Sequence, residues 1–193
     1  MQTFQEYAAA GMGIAFHAKK IPHKKAVVSE HGERTFQELN ENSNRYANFL
    51  SDNGLKPGDG VAIVCKNRPE FLEALFGPLR VGLRITPINW HLTPEEICYI
   101  VENCEAKAVV CDAIFPEFIE AINQQLPEVI ILSADGEHPL ALPFLETLQN
   151  KLVGLGFSEY RIDSKTIVDE TSYKNSIQKV VGVTTDTGES ILG

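Results

Sequence analysis

Apolar residues along this chain fall alternately into short continuous runs and into stripes recurring every three or four positions, which predicts strands and helices in turn. The segment from Leu79 to Cys111 shows this most clearly. Ile85 to Asn89 is a short apolar run bounded by Gly82 and a polar stretch, as suits a buried strand. Thr93 is placed as a helix N-cap, with Pro94 at the first helical position and Glu96 three residues on to close a capping box. Ile97, Ile100, Val101 and Cys104 form one helical stripe, and Ala108 to Cys111 makes the next apolar run. The order is strand, helix, strand, which implies a parallel pair.

The same grammar extends in both directions. Upstream, Ala26 to Ser29 reads as a strand and His31-Gly32 as a turn, before a second capping box, Thr35 to Glu38, opens a long helix. Leu39, Ser43, Tyr46 and Leu50 mark its inward stripe, Asn53-Gly54 its end, and Lys56 to Asp59 a turn. Val61 to Cys65 predicts a buried strand. A helix beginning near Pro69 would turn Phe71, Leu72, Leu75 and Phe76 inward and end around Gly77-Pro78, or slightly later if the proline only kinks it. Downstream, Phe115 to Gln125 predicts a helix, Glu128 to Leu132 a strand and Ser133 to Pro143 a surface loop. A helix from Phe144, with the stripe Leu145, Leu148, Leu152 and Leu155, and a last strand over Gln178 to Val183 follow. The expected fold class is α/β, with parallel-sheet layers and helices on both faces. Residues 1–143 are assigned to this α/β region, and residues 144–193 to a continuation, without a recognisable signature of its own, that could complete the same domain.

Composition narrows the picture. A chain of 193 residues with 44% hydrophobic content can bury a substantial core, and one soluble α/β domain is expected. The formal charge of -9 argues against nucleic acid or an anionic membrane as a general partner, since both would repel it. Lys19, Lys20, His23, Lys24 and Lys25 cluster before the first strand and read as a solvated loop. No run is long and apolar enough to span a bilayer, and the N-terminus, with Gln2, Gln5 and Glu6, lacks the features of a signal peptide. No integral membrane segment and a cytoplasmic location are therefore expected. The four cysteines fall in or beside core elements with no metal-ligand spacing, so reduced core thiols and no metal site are expected. The five histidines show neither a nucleophile elbow nor a helical metal pair, and Glu95 and Glu96 are accounted for by capping. No catalytic residue is assigned.

Three segments together resemble one enzyme family. Arg34-Thr35-Phe36-Gln37-Glu38-Leu39, continued by Asn44 to Leu50, resembles a "Leu-Thr-Tyr-x-Glu-Leu" helix start; Gly54 to Ile63 is similar to a "Gly-Val-x-x-Gly-Asp-x-Val-Ala" turn and strand. Gly82 to Leu92, with Thr93 to Glu96, resembles "Gly-Ala-x-x-x-Pro-Ile-Asn-x-Arg-Leu" followed by "Thr-x-x-Glu-Leu". Pro22 to Asp112 is thereby similar to the N-terminal region of the adenylate-forming superfamily, which includes acyl-CoA synthetases, peptide-synthetase adenylation domains and luciferases. The Pro87-Ile88-Asn89 and Asn67 to Phe71 segments look more like acyl-CoA synthetases than peptide-synthetase domains.

That resemblance implies ATP-dependent activation of a small carboxylic acid to an acyl adenylate, followed by thioester transfer to coenzyme A, with ATP, Mg and coenzyme A as family cofactors. An attacking carboxylate and a polyphosphate repel each other, so such chemistry needs N–H donors from a glycine-rich loop, cations and magnesium. The family's loop, Thr-Ser-Gly-Thr-Thr-Gly-x-Pro-Lys-Gly, has its nearest counterpart in Thr184, Thr185, Thr187 and Gly188, which lack the proline and lysine and include Asp186 and Glu189 nearby. A plain turn accounts for that stretch better. Asn89, Trp90 and His91, where the family often has arginine at the last position, are the candidate acyl or coenzyme A contacts, with packing of Trp90 as the competing explanation. Two readings remain: the N-terminal portion of an acid–CoA ligase, inactive without the phosphate loop and C-terminal lysine, or a non-catalytic α/β binding or interaction module. In the first, self-association or the remainder of the enzyme would cover exposed apolar surface.

Overall fold

Residues 3–144 are described in the computed structural model of the protein. Two short helices, α1 (Phe4–Ala9) and α2 (Gly13–Lys20), precede a hairpin of β1 (Lys25–Ser29) and β2 (Gly32–Thr35). The chain continues through α3 (Phe36–Asp52), β3 (Gly60–Val64), α4 (Pro69–Leu79), β4 (Arg84–Pro87) and α5 (Pro94–Asn103). The described residues end with β5 (Ala106–Cys111), α6 (Pro116–Gln125), β6 (Ile130–Ser133) and β7 (Leu142–Pro143). The helix expected from Phe144 and the strand expected at Gln178 to Val183 lie outside the described residues.

Strands β3 to β7 form one wholly parallel sheet in the order β4-β3-β5-β6-β7. The chain steps outward from β3 to β4, then returns past β3 to lay down β5 and its successors. The reversal places a switch point between β3 and β5, at whose carboxyl ends open α/β sheets hold their ligands. Side chains alternate across the sheet as a pleated strand requires. Val61, Ile63 and Cys65 pack with Tyr46, Leu50 and Ala74 of α3 and α4. Ala62 and Val64 pack instead with Ile97, Val101, Phe118 and Ile122 of α5 and α6. Burial on both faces explains why β3 and β5 read as continuous apolar runs. The α/β architecture is as expected from the sequence.

Both expected capping boxes form. Thr35 Oγ1 accepts from the Glu38 amide at 3.2 Å and Glu38 Oε2 from the Thr35 amide at 2.8 Å. The corresponding distances for Thr93 and Glu96 are 3.3 and 2.9 Å.

Four local expectations are corrected. Lys19 and Lys20 end α2 rather than lying in a loop, and Lys25 starts β1, pairing with Glu33 at 2.6 Å. The expected strand over Ile85–Asn89 stops at Pro87, after which Ile88 leads into the turn before α5. The loop over Ser133–Pro143 contains β7, which pairs with β6 through Leu132 and Ser133. Most consequentially, α4 ends at Leu79, where the sequence allowed it to end, but its buried positions are Pro69, Glu70, Glu73, Ala74, Gly77 and Pro78 rather than the expected Phe71, Leu72, Leu75 and Phe76. Phe71 and Leu75 are only partly buried against the core. The reason is a close crossing with α3: a Cβ on Gly77 would stand 2.9 Å from the Ser43 carbonyl oxygen and 3.0 Å from Tyr46. The helix face that meets α3 is therefore its small-residue face.

Candidate functional site

At the carboxyl edge of the sheet, four elements deliver charged side chains to one place. Arg68 ends the loop after β3 and is N-cap to α4, Asp112 follows β5, Asp135 follows β6, and Arg34 arrives from β2. Arg68 Nε donates to Glu70 Oε2 at 2.8 Å, while its Nη1 donates to Asp112 Oδ1 at 2.9 Å and lies 2.7 Å from Asp135 Oδ2. Arg34 Nη2 donates to Glu70 Oε1 at 2.9 Å, and its Nε donates to Glu73 Oε1 at 2.8 Å. Asn42 of α3 donates to the same Glu73 oxygen at 2.7 Å, and the Lys66 amide donates to Asp112 Oδ2 at 2.7 Å. Glu73 and Asp112 are wholly buried.

Four carboxylates face two guanidinium groups here, and the titration of the members reflects it. Burial pushes the Glu73 carboxyl above the usual glutamate range, against the hydrogen bond from Asn42 and the charge of Arg34. Burial also works against the Arg68 charge, but hydrogen bonds to Glu70 and Asp135 and the field of Glu70 and Asp112 outweigh it and raise its pKa. These groups lock one another. Their geometry ties the hairpin, α3, α4 and three strand ends together, and sequence reasoning missed it as a unit. The available signal was the charged residues placed directly after two buried strands, Arg68 and Asp112.

Beside this network lies a more exposed aromatic surface. Trp90 stacks on Phe115 with ring centroids 5.5 Å apart, the His91 ring centroid is 3.5 Å from that of Trp90, and Lys66 Nζ stands 5.5 Å above Trp90 and 5.7 Å from Phe115. Asn89 Oδ1 accepts the His91 amide at 3.1 Å, shaping the turn that leads to α5. The structure thus brings Asn89, Trp90 and His91 together at the switch point. Thr184, Thr185, Thr187 and Gly188 lie outside the described residues.

The described edge does not fit a magnesium–nucleotide complex. Its buried carboxylates already bond to arginines, and among the described residues no group of three His, Cys, Asp or Glu side chains is placed to hold a metal ion. Helices α4 and α6 both begin with proline followed by glutamate, which removes an N–H donor and puts negative charge where phosphate would sit. A depression of about 520 Å³ lies at the opposite edge, lined by Leu55, Val101, Glu102, Glu105 and Val129 among others, away from the strand carboxyl ends.

A sequence profile of the AMP-binding enzyme family matches residues 14–170. The chain belongs to that family. A fatty acid–[acyl-carrier-protein] ligase, ScoC, of Streptomyces coeruleorubidus is 33% identical over 117 residues, which are 61% of this chain and 22% of that protein. The 4-hydroxybutyrate–CoA ligase 2 of Metallosphaera sedula is 32% identical over 123 residues, 64% of this chain and 22% of that protein. The chain therefore spans about a fifth of the length of the curated relatives it matches. Among solved structures, the anthranilate CoA ligase AuaEII in complex with anthranoyl-AMP superposes with a TM-score of 0.66 at 25% identity, over 73% of this chain and 27% of that one. The inhibitor-bound N-terminal domain of FACL13 from Mycobacterium tuberculosis gives 0.62 at 27% identity, over 72% and 35%. Among the described residues no helix is long and apolar enough to cross a membrane.

Proposed function

We propose that this chain is the N-terminal scaffold of an ATP-dependent carboxylic acid–CoA ligase and that it forms no acyl adenylate by itself. The observation that carries the reading is the carboxyl edge of the sheet, where Arg34, Arg68 and their four carboxylates are committed to one another. Such a network fixes strand ends and loops, leaving the charge that must hold a polyphosphate to be supplied by other segments. Two sequence facts support it: the Thr184 to Gly193 stretch has no lysine, and Asp186 and Glu189 stand within it. In the family, ATP, magnesium and coenzyme A would then be engaged by the phosphate loop and the C-terminal lysine. Within the same reading, the Trp90, His91 and Phe115 surface with Lys66 is the part of this chain that contacts acyl group or coenzyme A, and the protein works in the cytoplasm.

Calorimetric titration of the purified 193-residue chain with ATP in the presence of magnesium tests the proposal. No saturable heat is expected. A one-to-one isotherm would contradict it.

A further inference from the structure

The net charge of -9 is unevenly spread along the chain. The first 25 residues hold four of the 17 basic side chains and one of the 26 acidic ones, which gives that segment +3 and the rest of the chain -12. Lys19, Lys20 and Lys24 carry this charge on the outside, all three exposed, at the end of α2 and in the loop that leads to β1. None of the ion pairs among the described residues includes them. Glu6 and Glu38, on the neighbouring helix starts, are turned onto their own caps, accepting the Thr3 amide at 2.6 Å and the Thr35 amide at 2.8 Å. Glu33 is taken by Lys25.

The cations stand on an aromatic base. Lys20 Nζ lies 4.3 Å over the Phe16 ring, and Lys19 Nζ lies 5.1 Å over Tyr7 and donates to its hydroxyl oxygen at 2.5 Å. Phe4 meets Phe16 and His17 at centroid distances of 5.4 and 5.3 Å, and the His17 ring is 5.0 Å from Phe36 at the start of α3. The same helix start holds the loop: the Gln37 amide donates to the Pro22 carbonyl and the Phe36 amide to the Lys24 carbonyl, both at 3.0 Å. Phe4, Lys20, Ile21 and Lys24 are thereby gathered around one end of α3, where Phe4 is 43% and Ile21 38% exposed. A single exposed apolar side chain needs no explanation. Here two of them, beside a cluster of rings, share one surface with three unpaired ammonium groups.

We propose that this surface docks on an anionic phospholipid bilayer, with Lys19, Lys20 and Lys24 on the headgroup phosphates and Phe4 and Ile21 entering the boundary with the acyl chains. Lysines suit that boundary because the ammonium reaches the headgroups while the stem, and here the ring beneath it, faces the apolar layer. Exposed isoleucine beside the cations favours a bilayer over a nucleic acid, whose phosphate backbone gives it nothing to bury against. The acidic remainder of the chain does not cancel the attraction, since fields between exposed charges fade beyond about 8 Å at physiological ionic strength. Each lysine near such a surface strengthens attachment about five-fold, so the hold is peripheral and reversible. The inference stands independently of the ligase reading.

The test is co-sedimentation of the full 193-residue chain, at physiological salt, with vesicles of phosphatidylcholine alone and of phosphatidylcholine and phosphatidylserine in equal parts. Wild type is expected to bind the mixed vesicles saturably and the phosphatidylcholine vesicles far more weakly. Lys20→Gln combined with Lys24→Gln should weaken binding to the mixed vesicles about thirty-fold, and Ile21→Ser should weaken it several-fold at unchanged charge. All three side chains are exposed, so the variants should keep the wild-type melting temperature; should one melt early, Lys19→Gln or Phe4→Ser takes its place. Absence of binding to the mixed vesicles, or equal binding to both kinds, overturns the proposal. So does binding that falls with the lysines but not with the apolar substitution, which would mark a site for any polyanion, nucleic acid included.

Discussion

Arg68 is the side chain on which most of the carboxyl edge depends. Three carboxylates converge on its guanidinium, and two of them, Glu70 and Asp112, are buried. Removing one partner from a buried charge network leaves the others uncompensated, at about 3–5 kcal/mol. Arg68→Met should therefore lower the urea midpoint severely or abolish folding, and a near-neutral effect would mean the network is solvated. Glu73 supplies a pH signature. Its folded-state pKa is raised, so the stability it gives is complete below the ordinary glutamate range and is lost as pH rises through the raised value. Glu73→Gln should flatten that decline, seen as a smaller loss of melting temperature between mildly acidic and neutral pH than wild type shows. Asp59 runs the other way. Burial opposes its charge, but Lys107 and Lys56 outweigh it and lower its pKa, so its contribution is present above the ordinary aspartate range and lost on acidification.

At the scale of elements, capping and close approach decide the outcome. Thr93→Ala removes one half of a formed capping box and should destabilise by about 1 kcal/mol, measured by urea unfolding. Gly77→Ala should cost about 1–3 kcal/mol, because the new methyl meets backbone of α3, which cannot rotate away; an unchanged midpoint would mean the α3–α4 crossing is looser than described. The same elements show what the sequence could tell. The box at Thr35 and the box at Thr3 are the same tetrapeptide, Thr-Phe-Gln-Glu, yet only the first was legible as a helix start, because six residues of α1 carry no buried stripe to confirm it. Strands β3 and β5 were legible because both faces are buried. The face of α4 was not: periodicity assigns carboxylates outward, and Glu70 and Glu73 are inward because Arg34, from more than thirty residues away, pairs with both and Arg68, the N-cap of α4, pairs with Glu70. The candidate contacts Asn89 to His91 could be located by resemblance, while the Phe115 and Lys66 that complete their surface come from other strand ends and have no local pattern.

For the whole molecule, family and fold are settled by the profile match and the parallel sheet, whereas the activity proposed for it depends on what this chain contributes to a larger catalytic assembly. A net charge of -9 and a carboxyl edge with more carboxylates than guanidinium groups both work against binding a polyphosphate without added cationic segments. Carboxylate-dependent exchange of radiolabelled pyrophosphate into ATP measures the first half-reaction directly. The purified chain, given magnesium, ATP and short-, medium- or long-chain acids, should show no exchange above the acid-free blank. Acid-dependent exchange that persists through purification and disappears on denaturing the chain would contradict the account.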